Sequence, residues 1–145
     1  MSKPNPLLVY HILGMVRISM NALASAVMSH DPYGLYNYAL EHIENVYTIL
    51  PPDAKFEFNK CMVKITGEGD VTIDDVREYV RSRCDEIMSS YEMFKSRSMK
   101  EGECLSEFRS VVRALLTCVV NALHNTGMLQ VSPVEYRLFD LGDEE

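Results

Sequence analysis

Two thin polar stripes carry the side chains of this sequence that are best suited to chemistry. His11 and Arg17 lie on a stripe within the apolar segment Leu7–Met28, and Asn121 and His124 lie on a similar stripe near the C-terminal end of the chain. If the stripes face each other, these four side chains form a cluster in which an imidazole could act as a general acid or base. The alternative, which we favour, is a buried or half-buried seam of hydrogen bonds between two helices.

Carboxylate pairs and a cationic group are the second set of candidates. The pairs are Asp74/Asp75 and Asp85/Glu86, and they alternate with positive charges along one segment. Such interleaving is typical of a solvated helix face with ion pairs three or four residues apart, rather than of a catalytic pair or a phosphate-binding patch. The cations are Arg77, Arg81, Arg83, Lys95, Arg97 and Lys100.

Metal and cofactor chemistry is not indicated by the sequence. The four cysteines, Cys61, Cys84, Cys104 and Cys118, form no C-x-x-C pair, whereas zinc ligands cluster at short spacing. The favoured interpretation is four small apolar residues on buried helix faces, and the alternative is one or two disulfides. No phosphate-binding loop, dinucleotide fingerprint, metalloprotease motif or nucleophile elbow is present. We therefore expect no cofactor, no metal and no enzymatic activity.

The polar stripes themselves predict two long helices. Their residues recur three or four positions apart, which is the period of an α-helix, while the remaining positions are apolar. Two helices of this kind must be covered by others to be soluble. The stripes are His11, Gly14, Arg17, Asn21 and Ser25 in the first helix, and Ser106, Arg109, Ser110, Arg113, Thr117, Asn121 and His124 in the last.

Local signals divide the chain between these helices. Asp31-Pro32 predicts the start of a second helix, and Pro51-Pro52 predicts its end. Residues 53–65 fit either a short helix, which we favour, or a strand. Thr72 and Asp75 resemble a capping box for a helix from Ile73 to about Phe94. Residues 96–102 are expected to be a charged loop, followed by a helix from about Glu103 to Asn125 that stops at Gly127.

The predicted fold is therefore all-α: a four-helix bundle with a short additional helix and an irregular C-terminal tail. The helical bundle covers residues 1–127, and residues 128–145 form the acidic and hydrophobic tail of the same single domain. Leu7–Met28 has the length of about 20 residues that a bilayer requires, but Arg17 at its middle would cost on the order of 3 kcal/mol there. We expect no transmembrane helix, no signal peptide and an intracellular location.

The charge of the chain points to a basic partner. The formal net charge is −7, which argues against a general nucleic-acid-binding protein. The charge is also uneven, because residues 1–29 contain Lys3 and Arg17 but no carboxylate. The acidic pole is the C-terminal end, with Glu135, Asp140, Asp143, Glu144 and Glu145 against Arg137 alone.

This layout resembles a family of helical proteins from archaeal viruses. The shared features are an acidic chain of 145 residues, four long helices with a short extra one, the apolar helix Leu7–Met28 and the tail Val134–Glu145. Within that group the chain is similar to the host RNA polymerase inhibitors and related coat proteins of two-tailed archaeal viruses. The resemblance covers the whole chain and rests on length and layout, not on a diagnostic motif.

The resemblance implies a non-enzymatic inhibitor that occupies the DNA-binding channel of the polymerase in the host cytoplasm. A channel built for DNA is positively charged and would attract an acidic protein. The expected partner contacts are the aromatic side chains of Tyr136 and Phe139 and the carboxylates of Asp140, Asp143, Glu144 and Glu145. The alternative is a structural coat-like bundle of the virion that associates with itself.

Overall fold

Five helices make up the fold in the computed structural model, which describes residues 5–66, 72–90 and 96–129. They are α1 (Pro6–Ala26), α2 (Pro32–Ile49), α3 (Pro52–Thr66), α4 (Ile73–Ser89) and α5 (Arg97–Asn125). The described residues contain no strand, so the all-α prediction is confirmed and residues 53–65 are helical. The tail 130–145 lies outside the described residues.

The longest helix, α5, is the centre of the fold. It contacts each of the other four helices, and α1 makes its largest contact with α2. Along α5 the side chains of Val112, Leu116, Val119 and Leu123 are fully buried. Removal of this much apolar surface from water is the main favourable term in folding. The prediction that other helices cover the last helix is therefore confirmed.

Local capping explains where the middle helices begin. The Asp31 side chain accepts a hydrogen bond from the Gly34 backbone N–H at 3.1 Å, and Pro32 occupies the first turn. At α4 the Thr72 hydroxyl accepts from the Asp75 backbone N–H at 3.1 Å, while the Asp75 carboxylate accepts from the Thr72 N–H at 3.0 Å. These pairs satisfy backbone donors that a helix start leaves free. Both predicted starts are confirmed.

The start of α5 corrects the sequence-based prediction. Residues 97–102 are helical instead of forming a charged loop, and the helix begins six residues before Glu103. The reason is that Ser96 caps the helix: its hydroxyl accepts a hydrogen bond from the Met99 backbone N–H at 3.2 Å. At the other end Gly127 has φ 78°, the left-handed conformation that ends a helix, as predicted.

The first helix is only partly covered, which also differs from the prediction. Its inner face is buried, including Ile12, Val16 and Leu23, but its outer face remains in contact with solvent. Among the described helices, α1 alone is long and apolar enough to cross a membrane. In its most apolar stretch of 18 residues, 33% of the residues are buried. The helix ends at Ala26, two residues before the end of the predicted apolar helix Leu7–Met28. The predicted residues Tyr91 and Phe94 of α4 lie outside the described residues.

Gly34 provides a test of the α2 cap. A Cβ atom added at this position would collide with the Asp31 carboxylate, whereas one added at Gly102 of α5 would meet no atom within 4 Å. Gly34→Ala is therefore expected to leave the free energy of unfolding nearly unchanged, because loss of the cap, about 1 kcal/mol, offsets the gain that alanine brings to a helix. Gly102→Ala is the matched control and should raise it by about 0.5–1 kcal/mol. Urea denaturation measures both changes, and equal stabilisation by the two variants would contradict this account of the cap.

Candidate functional site

A groove lies between α2, α4 and α5. We refer to it as the disulfide groove, because the Cys84–Cys104 disulfide lies in its wall. Its volume is about 660 Å³. Its lining consists of Tyr33, Asn37, Asp74, Arg77, Glu78, Val80, Arg81, Cys84, Met88, Glu101, Cys104 and Phe108.

The floor of the disulfide groove is aromatic and sulfur-rich. The Tyr33 hydroxyl donates to the Cys104 sulfur at 3.1 Å, which connects the first turn of α2 to α5. The Phe108 ring lies 5.2 Å from the Tyr36 ring and 6.3 Å from the Tyr33 ring, centroid to centroid. Tilted aromatic pairs at these distances are favourable. The floor is thus a preformed apolar surface that could accept an apolar group of a partner.

The rim of the groove carries charges that neutralise one another. The Arg77 guanidinium lies 3.5 Å from Glu44 and 3.4 Å from Asp74, so it joins α4 to α2. Arg81 forms an ion pair with Glu78 one turn earlier. Exposed pairs of this kind are worth less than about 1 kcal/mol each. Their consequence is electrostatic: these arginines do not present an unneutralised positive patch.

Two tyrosines near the groove remain protonated. Burial of the ring, and then the charge of Glu101, raises the pKa of Tyr33. Burial, and then the charge of Glu107, raises the pKa of Tyr79, whose hydroxyl donates to Glu107 at 3.3 Å. A raised tyrosine pKa favours the neutral hydroxyl, which is a hydrogen-bond donor and not a base. These groups therefore suit binding rather than proton abstraction.

The predicted seam of polar residues does not form as expected. All five residues of the α1 stripe are exposed, so His11 and Arg17 face solvent instead of α5. His124 is exposed as well, and Asn121 is half-buried. The physical reason is that α1 is covered on one side only and turns its polar stripe outward. No three histidine, cysteine or carboxylate side chains within the described residues are arranged to hold a metal ion.

Arg109 is the exception on the α5 stripe. Its side chain is buried, and its Nη1 atom donates to the Leu23 backbone carbonyl at 2.7 Å. Leu23 belongs to the last turn of α1, near the negative end of the helix dipole. The guanidinium therefore caps α1 from α5 with a charge-assisted hydrogen bond, next to the negative end of the helix dipole.

The cysteines form two disulfides, which corrects the favoured interpretation of four separate apolar residues. Cys61–Cys118 connects α3 to α5, and Cys84–Cys104 connects α4 to α5. No cysteine is left free. The helical spacing predicted the correct faces for these residues, but a pairing requires knowledge of which helices are neighbours.

The predicted cationic group and carboxylate pairs form the expected solvated face. Arg83 lies 2.8 Å from Glu86 and Arg97 lies 3.5 Å from Glu101, each one turn apart. The ammonium group of Lys100 donates to the Ser90 carbonyl at 2.6 Å. Lys95 lies outside the described residues. The interleaved charges are therefore matched by partners on the same surface.

The partner-binding residues predicted from the sequence lie outside the described residues. These are Tyr136, Phe139, Asp140, Asp143, Glu144 and Glu145. The described chain ends at Leu129, just after Gly127 and Met128, which help to line a second groove against the start of α1. That groove has a volume of about 670 Å³ and includes Val9, Tyr10 and Leu13. Met128, the first residue of the predicted tail, therefore lies beside the start of α1.

Comparisons of this chain with protein-family models, with curated proteins and with solved structures found no match.

Proposed function

We propose that this protein is a non-enzymatic viral inhibitor that binds host RNA polymerase in its positively charged DNA-binding channel. Bound there, it blocks template loading and hence transcription. The observation that supports this proposal best is the acidic character of the chain, with a net charge of −7. Its layout also resembles that of viral polymerase inhibitors.

The charges on the described surface support an acidic partner-binding protein. Arg77, Arg81, Arg83 and Arg97 each pair with a carboxylate, so α4 and the start of α5 lack the concentrated positive face that phosphates require. A negative protein is steered towards a positive channel, and this attraction weakens with added salt. The proposed contacts are the aromatic rings of Tyr136 and Phe139 with the tail carboxylates Asp140, Asp143, Glu144 and Glu145.

We also propose that the architecture is a four-helix bundle with α3 as the short additional helix. Two disulfides that connect α3 and α4 to α5 support a rigid body of this kind. A rigid body loses little conformational entropy when it binds. The proposed location is the cytoplasm of the host cell.

A transcription assay with purified host polymerase tests the proposal. The full chain should inhibit initiation at micromolar concentration, and the inhibition should weaken steeply between about 50 and 200 mM salt, since the attraction is electrostatic. Truncation after Leu138 removes Phe139 and four carboxylates and should weaken inhibition at least about tenfold. No inhibition by the full chain would contradict the proposed function.

A matched control distinguishes the effect of where the carboxylates lie from the effect of how many are removed. The combined variant Asp74→Asn, Glu78→Gln, Asp85→Asn and Glu86→Gln also removes four carboxylates, but from the exposed face of α4. It should inhibit nearly as well as the full chain if the tail makes the contact. Equal losses in the truncated and control proteins would assign the effect to net charge alone and would contradict the role of the tail.

One observation favours a second candidate function, a coat-like protein of the virion that associates with itself. Several large apolar side chains of α1 are exposed, which is uncommon unless a surface has a partner. Association in the absence of polymerase, together with recovery of the protein from purified particles, would support this function. Absence from particles would contradict it.

A further inference from the structure

The outer face of α1 combines three features that the packing of the described residues does not explain. The face is centred on Leu7, Gly14 and Asn21, which are seven residues apart. Tyr10 and Ile18 flank this line, and the polar side chains of His11 and Arg17 lie farther out, at its two edges. We infer that this face is a self-association surface, on which α1 of a second copy packs antiparallel and crosses at Gly14. The inference does not depend on polymerase inhibition.

Exposed apolar side chains are the first feature. Leu7 is 80% exposed, Tyr10 is 82% exposed and Ile18 is 39% exposed. They lie on the same side of the helix because spacings of three, four and seven residues return to one face. A second copy would remove this surface from water. Antiparallel packing about Gly14 would bring Tyr10 opposite Ile18 of the second copy, since both are four residues from the crossing point.

The glycine at the centre is the second feature. Gly14 is exposed in the middle of α1, and a Cβ atom added there would meet no atom within 4 Å. Glycine in a helix interior is unfavourable relative to alanine, and nothing within the described chain requires it at this position. Where two helices cross, a residue without a side chain allows their backbones to come close. The outward position of Gly14 therefore favours another helix as the occupant.

The charge distribution is the third feature, and it favours a second copy over a membrane. The protein carries a net charge of −7, but α1 contains no carboxylate. Two copies repel each other least when they meet on this helix. A negatively charged protein is repelled by anionic lipids. Arg17, at the edge of this face, would have to enter a bilayer, whereas at the edge of a contact between two helices its guanidinium stays in water.

The size of the face sets the expected strength of association. A helix of 21 residues is about 32 Å long, and a strip about 15 Å wide along it gives an interface of about 1,000 Å² over both copies. This is the lower end for a specific interface. The dimer should therefore form reversibly, with a dissociation constant in the micromolar range.

Gly14→Leu tests the inference because it should weaken association without lowering the stability of the single chain. The leucine has room in the single chain and should not lower the melting temperature, but it should weaken the dimer at least about tenfold by blocking close approach. Gly102→Leu is the matched control, since Gly102 is also exposed, helical and without a neighbour within 4 Å. It should leave dimerisation unchanged.

Sedimentation equilibrium of the full chain and both variants, from about 1 to about 500 µM, provides the measurement. Tyr10→Ser is a second disrupting variant and should also weaken the dimer. A chain that stays monomeric throughout, or equal effects of Gly14→Leu and Gly102→Leu, would overturn the inference. So would binding of a monomer to phosphatidylcholine vesicles that Gly14→Leu preserves or strengthens, because a leucine on this face favours contact with lipid. The transcription assay with Gly14→Leu separates the two proposals, because inhibition through the tail should persist.

Discussion

Replacement of Cys61 and Cys118 together by alanine is expected to lower the free energy of unfolding by about 4 kcal/mol. The disulfide joins residues 57 positions apart, so its loss releases a long loop in the unfolded chain. Cys118 is fully buried, and alanine avoids burial of a new polar group there. The loss corresponds to a decrease of about 10 °C or more in melting temperature.

The second disulfide supplies the matched comparison. Cys84 and Cys104 are 20 positions apart, and the shorter loop predicts a smaller loss of about 3 kcal/mol for the double alanine variant. Urea denaturation measures both losses, and mass spectrometry after thiol alkylation confirms that each variant retains the other bridge. A loss below about 1 kcal/mol for Cys61→Ala with Cys118→Ala would contradict this account.

Arg109→Met is expected to lower the free energy of unfolding by about 2–3 kcal/mol. The change keeps the apolar length of the side chain but removes the donor to the Leu23 carbonyl. The α1–α5 contact would lose a buried, charge-assisted hydrogen bond, which is stronger than one between neutral groups. Arg109→Lys keeps one positive donor and should recover part of the loss.

The control for Arg109 is an arginine on the surface of α4. Arg81 pairs with Glu78 but is largely exposed, so Arg81→Met should change the free energy of unfolding by no more than about 0.5 kcal/mol. Urea denaturation at neutral pH compares the variants. Equal changes at the two positions would show that the buried hydrogen bond does not stabilise the contact between α1 and α5.

The parts of the fold that the sequence predicts well depend on neighbouring residues along the chain. The Asp31 and Thr72 caps and the stop at Gly127 are local, because each involves groups within a few residues. The early start of α5 was missed because charged residues and Gly102 outweighed the cap at Ser96 in the sequence pattern. In the structure Gly102 is an ordinary exposed helical residue.

The parts that the sequence could not predict depend on which helices are neighbours. The spacing of Cys61 and Cys118 fits buried helix faces, but the pair forms because α3 packs on α5. The disulfide groove was missed for the same reason, since Tyr33 and Cys104 are 71 positions apart. The α1 stripe was correctly placed on one face, but periodicity alone does not say whether that face meets solvent or another helix.

The two disulfides leave α1 and α2 without a covalent bridge to the other helices. They join α3 and α4 to α5, whereas α1 and α2 are attached to that unit by packing and by hydrogen bonds such as Arg109 to Leu23. Partial opening of a native protein follows its weakest boundary. The helical hairpin α1–α2 can therefore separate from α5 as one cooperative unit while the covalently joined helices stay together. In such an opened state the inner apolar residues of α1 would become available for exchange between copies.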